Sequence, residues 1–269
     1  MLSQHAARFF LALSLFAFFP SAGIGQTSDW GHLSSSGTGY AMPPLHYENN
    51  HYVGLTFKTS PEIIRELVPE PLVVTQDSLM TMYVGVFNIV APESITYHEA
   101  ALLVPAAYDE STRGSYVPVM YLDRALPITM GRETWGFPKF EAEFSMTIAD
   151  GVIKASVTKD GRPLMDVVLK LDEPVAPGRT RSDTFILRKT IPSVEGGGLY
   201  DVDQLVTAHT SDSKWTEVIL GRAQLHFRST PTDPLGKIPV LRVVSAAYIK
   251  SESTLGYGEV IYDYLSEQH

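Results

Sequence analysis

The stretch GRETWGFPKFEAEF, residues 131–144, contains a single lysine, Lys139, behind a proline and between Phe137 and Phe140. Lysine is strongly hydrated and is seldom fully buried without a partner. Aromatic neighbours on both sides therefore leave two readings: a stem lying over apolar surface with its ammonium in water, or an amine kept short of water. An amine of the second kind is a nucleophile in waiting, because only the free base attacks a carbonyl and burial disfavours the charged form of a lysine. Other candidate chemistry is weaker. HEAAL at 98–102 begins like a zinc-protease helix but has Leu102 where the second histidine must stand one turn on. SDSK at 211–214 fits a Ser-x-x-Lys pattern without a companion motif and reads as a loop. EGGGLYD at 195–201 lacks the strand, spacing and lysine of a phosphate loop and reads as a flexible turn. His46, His51, His209 and His226 show no metal-ligand spacing to one another, so neither a metal nor a cofactor is expected.

The elements that must position such a lysine are mostly strands. HYVGLTFKT (51–59) alternates and is rich in β-branched and aromatic residues, and SLMTMYVGVFNIV (78–90), HEAALLVPAAY (98–108) and SYVPVMYLD (115–123) have the same character. So do EAEFSMTIAD (141–150), GVIKASVTKDG (151–161), PLMDVVLKL (163–171) and EVILGRAQLHF (217–227). ADG at 149–151 and KDG at 159–161 predict hairpin turns, because Asp-Gly supplies the positive φ values such turns need. VLRVVSAAYIKSESTLG (240–256) predicts a further strand and loop, and EVIYDYLSEQ (259–268) a closing strand or helix. A short helix is expected over 60–72, with Ser60 as N-cap, Pro61 in the first turn, an apolar face of Ile63, Ile64 and Leu67, and Pro69 as the stop. No sequence repeat and no long helix is apparent. Many short strands with turn signals imply a closed or sandwiched antiparallel sheet.

Composition narrows the function. Arg8 followed by the apolar run 9–19 and the small residues Gly23 and Gly25 reads as a cleavable secretory signal peptide over residues 1–25, so a secreted or periplasmic protein is expected. A Gly/Ser-rich flexible arm follows over 26–42, then a single domain over 43–269. Acidic residues exceed basic ones by 30 to 21, which gives no electrostatic footprint for nucleic acid or an anionic membrane, and small molecules become the expected partners. There is no cysteine, so stability must come from the core, and 44% hydrophobic residues can build one.

Around Lys139 the motifs fall into an ordered series: LVPEPL (67–72), YHEAALLVPA (97–106), MYLD (120–123), GRE (131–133), FPK (137–139), IPVLRVVS (238–245) and GEVIYDYL (258–265). The series resembles the acetoacetate decarboxylase family over roughly residues 43–266. The resemblance implies a mostly β (α+β) fold, a closed antiparallel β-barrel or β-cone with a few short peripheral helices, often assembled as a homo-oligomer. It also implies that Lys139 is the amine that forms a Schiff base inside the cone, with Glu99 matching a pocket carboxylate. Met120, Phe137 and Phe140 would be pocket wall, and Arg132, grouped with them, would hold the turn before Lys139. Three positions depart from the family pattern. Phe140 stands where a second lysine follows the reactive one, Asn50 aligns with an arginine, and residues 78–92 have no charged side chain where a second glutamate is expected. The expected activity is decarboxylation of a β-keto acid through a lysine imine. The alternatives are an imine-dependent aldolase or dehydratase acting on an apolar carbonyl compound, and a binder of an apolar small molecule that does not turn it over.

Overall fold

A computed structural model describes residues 38–177 and 183–266. The expected leader, and the arm up to residue 37, lie outside the described residues. In chain order the elements are β1 (Leu45–Lys58), α1 (Pro61–Leu67), β2 (Val73–Val74), β3 (Leu79–Ala91), β4 (Ile95–Ala107), β5 (Arg113–Leu122), α2 (Ala125–Trp135), β6 (Lys139–Glu141), β7 (Glu143–Ala149), β8 (Val152–Lys159), β9 (Arg162–Val175), β10 (Thr184–Pro192), β11 (Tyr200–Phe227) and β12 (Arg242–Asp263). The mostly β class expected from the sequence is the observed one.

Hydrogen-bonded neighbours run β10-β5-β4-β3-β1-β12-β11, and a further β10–β11 pairing closes this path into a ring. From β11 the sheet continues outward through β9, β8 and β7. The ring is not wholly antiparallel: on the edge of β5 away from β4, β10 pairs in parallel at Ser115–Tyr116 and the short β6 pairs in parallel at Met120–Leu122. These two short parallel pairings interrupt a closure that is otherwise antiparallel, as expected. The β6 pairing is what delivers Lys139, which sits opposite Met120 of β5.

Side chains of β1 divide by parity, as the two faces of a strand require. Val53 and Phe57 are fully buried in the larger apolar core, where α1 adds Ile64. Asn50, Tyr52, Gly54 and Thr56 line a cavity. Fully burying a side chain such as Phe57 stabilises by about 1.5–3 kcal/mol, so this core fixes the register that points the even residues at the cavity. Strand β3 repeats the division: Met80, Met82 and Val84 enter the core, while Thr81, Tyr83 and Phe87 line the cavity.

Three parts of the fold differ from the expectation. Adjacent residues such as Arg132 and Glu133 would face opposite ways on a strand, but both lie in α2, an element not expected from the sequence. That helix ends at Gly136, whose left-handed conformation (φ 79°) lets its N–H close on the carbonyls of Gly131 and Arg132. The 211–214 segment, expected to be a loop, lies within the long strand β11. Register shifts between Ala208 and Thr210 and between Ser211 and Lys214, with Asp212 at φ 54°, break the alternation that would have revealed it. Strand β10 carries no period-2 pattern in its sequence and was not expected. The two Asp-Gly turns are as predicted, with Asp150, Gly151, Asp160 and Gly161 all at positive φ.

Candidate active site

The backbone around Lys139 is tied down before its side chain is considered. Phe137 N–H donates to the Gly131 carbonyl at 3.1 Å, Lys139 N–H to the Phe137 carbonyl at 2.8 Å, and Met120 N–H to the Pro138 carbonyl at 3.0 Å. Arg132 donates through its guanidinium to the Lys139 carbonyl at 3.2 Å. The lysine stem then runs against α2 at Gly131. A Cβ added there would lie 2.8 Å from Lys139 Cδ, 2.9 Å from Cε and 3.0 Å from Nζ. Any other residue at 131 would displace the amine, so the glycine eight positions upstream belongs to the lysine's site.

Lys139 is 6% exposed and Glu99 5%. Strand β4 presents Glu99 between Gly85 of β3 and Leu122 of β5, which places its Oε2 3.2 Å from Lys139 Nζ. The other oxygen, Oε1, accepts a hydrogen bond from the Tyr83 hydroxyl at 2.7 Å. Oε2 is buried and accepts no aligned hydrogen bond from the described residues. The 3.2 Å separation is thus an ion-pair distance without hydrogen-bond geometry, and Oε2 retains a lone pair for a proton or a ligand.

Tyr47 and Tyr97 complete the surroundings, their hydroxyls 3.5 Å apart and Lys139 Nζ 5.7 Å from the Tyr97 ring. Burial pushes the phenols of Tyr47, Tyr83 and Tyr97 above their ordinary value, and the charge of Glu99 adds to the shift in each. All three are neutral hydroxyls at physiological pH; Tyr83 donates to Glu99 and Tyr97 to Tyr47. On the opposite side Nζ lies 5.3 Å from the Phe137 ring. The whole lines a cavity of about 510 Å³, within the roughly 300–1,000 Å³ of pockets that enclose small organic ligands. Lys139 is the only cationic side chain among the described lining residues, whereas Glu99, Asp183 and Glu252 are acidic.

Of the residues singled out from the sequence, Lys139, Glu99, Met120 and Phe137 come together at the cavity. Phe140 does not. It is 42% exposed and off the cavity, because consecutive residues of β6 point to opposite faces and Lys139 occupies the inward one. Its expected place in the pocket wall is corrected accordingly. Arg132 is also outside the lining; it holds the Lys139 carbonyl and lies 5.7 Å from the Phe140 ring. The sequence reading missed Tyr47, Tyr83 and Tyr97. Two signals for them were present: Tyr97 and Glu99 share one strand face at a spacing of two, and Tyr83 sits in the stretch 78–92, where the search was for charge alone.

A closed ring of strands with a buried lysine–carboxylate pair at an interior cavity defines a class of small-molecule enzyme. The model of the acetoacetate decarboxylase (ADC) family matches residues 33–265, nearly the whole chain, and the protein belongs to that family. An acetoacetate decarboxylase of Burkholderia cenocepacia (strain HI2424) is 32% identical over 235 residues, covering 85% of this chain and 92% of that one. Among solved structures, acetoacetate decarboxylase from Legionella pneumophila superposes with a TM-score of 0.73 at 22% identity, covering 84% of this chain and 90% of that chain. The enduracididine biosynthesis enzyme MppR, complexed with the condensation product of pyruvate and imidazole 4-carboxaldehyde, superposes with a TM-score of 0.74 at 17% identity, covering 89% and 99%. These two likenesses establish the fold. The family supports a lyase of decarboxylase-like type that acts on small keto-acid substrates.

Proposed function

We propose that the protein is a lysine-imine carbon–carbon lyase that decarboxylates a β-keto acid larger and more apolar than acetoacetate. The observation that carries this reading is the buried Lys139 Nζ at 3.2 Å from Glu99 Oε2, on the wall of the cavity. Glu99 takes a proton from the ammonium, and the free amine adds to the substrate ketone with loss of water. The iminium draws the electron pair of the adjacent carbon–carboxylate bond, carbon dioxide leaves, and an enamine remains. Glu99, now protonated, returns its proton to the α-carbon, and water hydrolyses the imine to release the ketone and the lysine. One proton is consumed overall and no external oxidant or reductant is needed. Tyr83 keeps Glu99 turned with Oε2 toward the amine.

A second reading keeps the imine and changes its fate: the enamine adds to an aldehyde and the adduct loses water. It is favoured by the lack of any cation besides Lys139 among the described lining residues, which leaves a substrate carboxylate without an ion partner there. The MppR complex with a condensation product is a fold neighbour that holds such a product. We also propose export directed by residues 1–25, to be checked by N-terminal sequencing of the natively expressed protein.

Borohydride trapping read by mass spectrometry tests the imine. Lys139→Ala is expected to abolish both trapping and turnover while leaving the fold intact. Lys139→Arg should be equally inactive, since a guanidinium keeps its charge but forms no imine. An active arginine variant would overturn the mechanism.

A further inference from the structure

The cavity has a second polar anchor. Asn50 is 2% exposed and sits on the cavity face of β1, in the alternating series with Tyr52, Gly54 and Thr56. Its amide orientation is fixed, because Oδ1 accepts the backbone N–H of Asn88 at 2.9 Å and only an oxygen can do so. The Nδ2 donors are therefore turned the other way, and the side chain makes no other hydrogen bond among the described residues. A buried amide with a committed oxygen and uncommitted N–H groups, at a cavity wall, calls for an acceptor from a ligand.

Beside this anchor, and reaching the reactive amine, runs a row of rings. Tyr52 stacks on Phe87 with centroids 5.7 Å apart and planes 14° apart. Phe87 stacks on Tyr97 at 6.0 Å and 26°, and Lys139 Nζ lies 5.7 Å from the Tyr97 ring. Phe87 is the residue next to Asn88, so the anchor lies beside the middle of this row and the amine at its Tyr97 end. Leu103, Phe137 and Phe185 add apolar lining. We propose that the part of the substrate remote from its reacting carbonyl is a flat aromatic or conjugated group bearing a neutral hydrogen-bond acceptor, which lies along Tyr52, Phe87 and Tyr97 and is held by Asn50 Nδ2. The inference rests on the lysine-imine reading for the placement of the carbonyl, but it concerns the other end of the molecule and holds for either fate of the imine.

The test compares benzaldehyde, its meta-dimethylcarboxamide, which adds a neutral acceptor and no donor, and butanal, by borohydride trapping on the full-length protein. Both aromatic aldehydes should trap more efficiently than butanal, and Phe87→Leu should erase that advantage. Asn50→Asp keeps an oxygen for the Asn88 N–H but replaces the donor with an acceptor. It should lower trapping of the amide-bearing aldehyde about tenfold relative to benzaldehyde in the same variant, since a site built to hydrogen-bond discriminates strongly once its partner is wrong. Taking the ratio of the two aldehydes cancels any general effect on the amine. Asn50→Ser provides the same ratio should the aspartate variant fail to fold. Equal trapping of butanal, or an unchanged ratio in both Asn50 variants, would overturn the proposal. The corresponding benzyl alcohols cannot form an imine, so titration calorimetry with them reads the anchor alone. Tighter binding of the amide-bearing alcohol without trapping of any aldehyde would sink the imine and spare the anchor, and equal binding of the two alcohols would sink the anchor.

Discussion

Two lysine–carboxylate pairs, one buried and one with a half-buried lysine, lie on either side of β6, and they are built from similar parts. Lys139 and Glu99 stand at the cavity, with Nζ 5.3 Å from the Phe137 ring and a hydrogen bond to the carboxylate from Tyr83. Lys159 and Asp233 stand on the other side, with Nζ 5.0 Å from the Phe140 ring and a hydrogen bond to the carboxylate from Tyr121 at 2.9 Å. Their completeness separates them. Asp233 accepts from Lys159 at 2.7 Å and from the hydroxyls of Thr230, Thr232 and Tyr121 as well. Among the described residues Glu99 accepts from Tyr83 alone, and its Oε2 faces the amine at 3.2 Å without a hydrogen bond. A saturated pair can only hold the fold. The unsaturated one can move a proton, because the lone pair that receives it is not already occupied.

That difference is open to direct attack. Glu99→Gln leaves a similar shape but removes the proton acceptor. Turnover should fall by about 10²–10⁴-fold, the usual contribution of a general acid–base group, while borohydride still traps the lysine at high pH, where hydroxide does the carboxylate's work. Turnover within a factor of two of the parent would mean that Glu99 only balances charge. Tyr83→Phe is a gentler change, removing one hydroxyl and keeping the ring against Tyr52 and Phe87. A hydrogen bond to a charged group is worth about 1.5–3 kcal/mol, so kcat should fall by about tenfold or somewhat more. KM should hold nearly constant, since what is lost is the aim of Oε2. A change confined to KM would make Tyr83 a substrate contact instead.

The first pair was partly legible in the sequence and the second was not, for a physical reason. Lys139 announced itself through Phe137 and Phe140, an environment too apolar for a free ammonium, and Glu99 through the motif series around it. Phe140 shows the limit of that inference: the apolar neighbour that marks a lysine as buried need not be the one that buries it, because the next residue of a strand faces away. Tyr83 was invisible to a search for charge, although a neutral donor sets a carboxylate's orientation as firmly as a cation does. Asn50 was legible only as a departure from the family pattern; its uncommitted donor depends on the Asn88 N–H, thirty-eight residues away. Lys159 and Asp233 lie seventy-four residues apart, in segments with no shared motif, and only the sheet brings them together. Helix α2 was not expected; Gly136 is its cap and Gly131 its contact with the lysine.

The smallest expected effect on catalysis is at the saturated pair, where the prediction concerns stability and acid. Burial alone raises the Asp233 carboxyl, but hydrogen bonds from Lys159, Thr232 and Tyr121, together with the lysine's charge, outweigh it and hold the group below its ordinary 3.8. A carboxyl lowered in the folded state contributes stability that is fully present above its unfolded value and is lost as the pH falls through the folded one. Asp233→Asn removes that contribution while keeping the volume. It leaves Lys159, whose side chain is 17% exposed, without its counter-charge. Breaking a buried pair in this way costs about 3–5 kcal/mol, and the lysine's residual exposure places the loss toward the lower end. Urea denaturation should therefore find the variant less stable than the parent at neutral pH, with the two curves converging as the pH falls below the ordinary carboxylate value and the parent's carboxyl protonates. Trapping at Lys139 should be unchanged throughout the range in which both proteins are folded. If the variant instead lost trapping at neutral pH with its stability intact, the two pairs would be coupled through β6, and the second could no longer be regarded as purely structural.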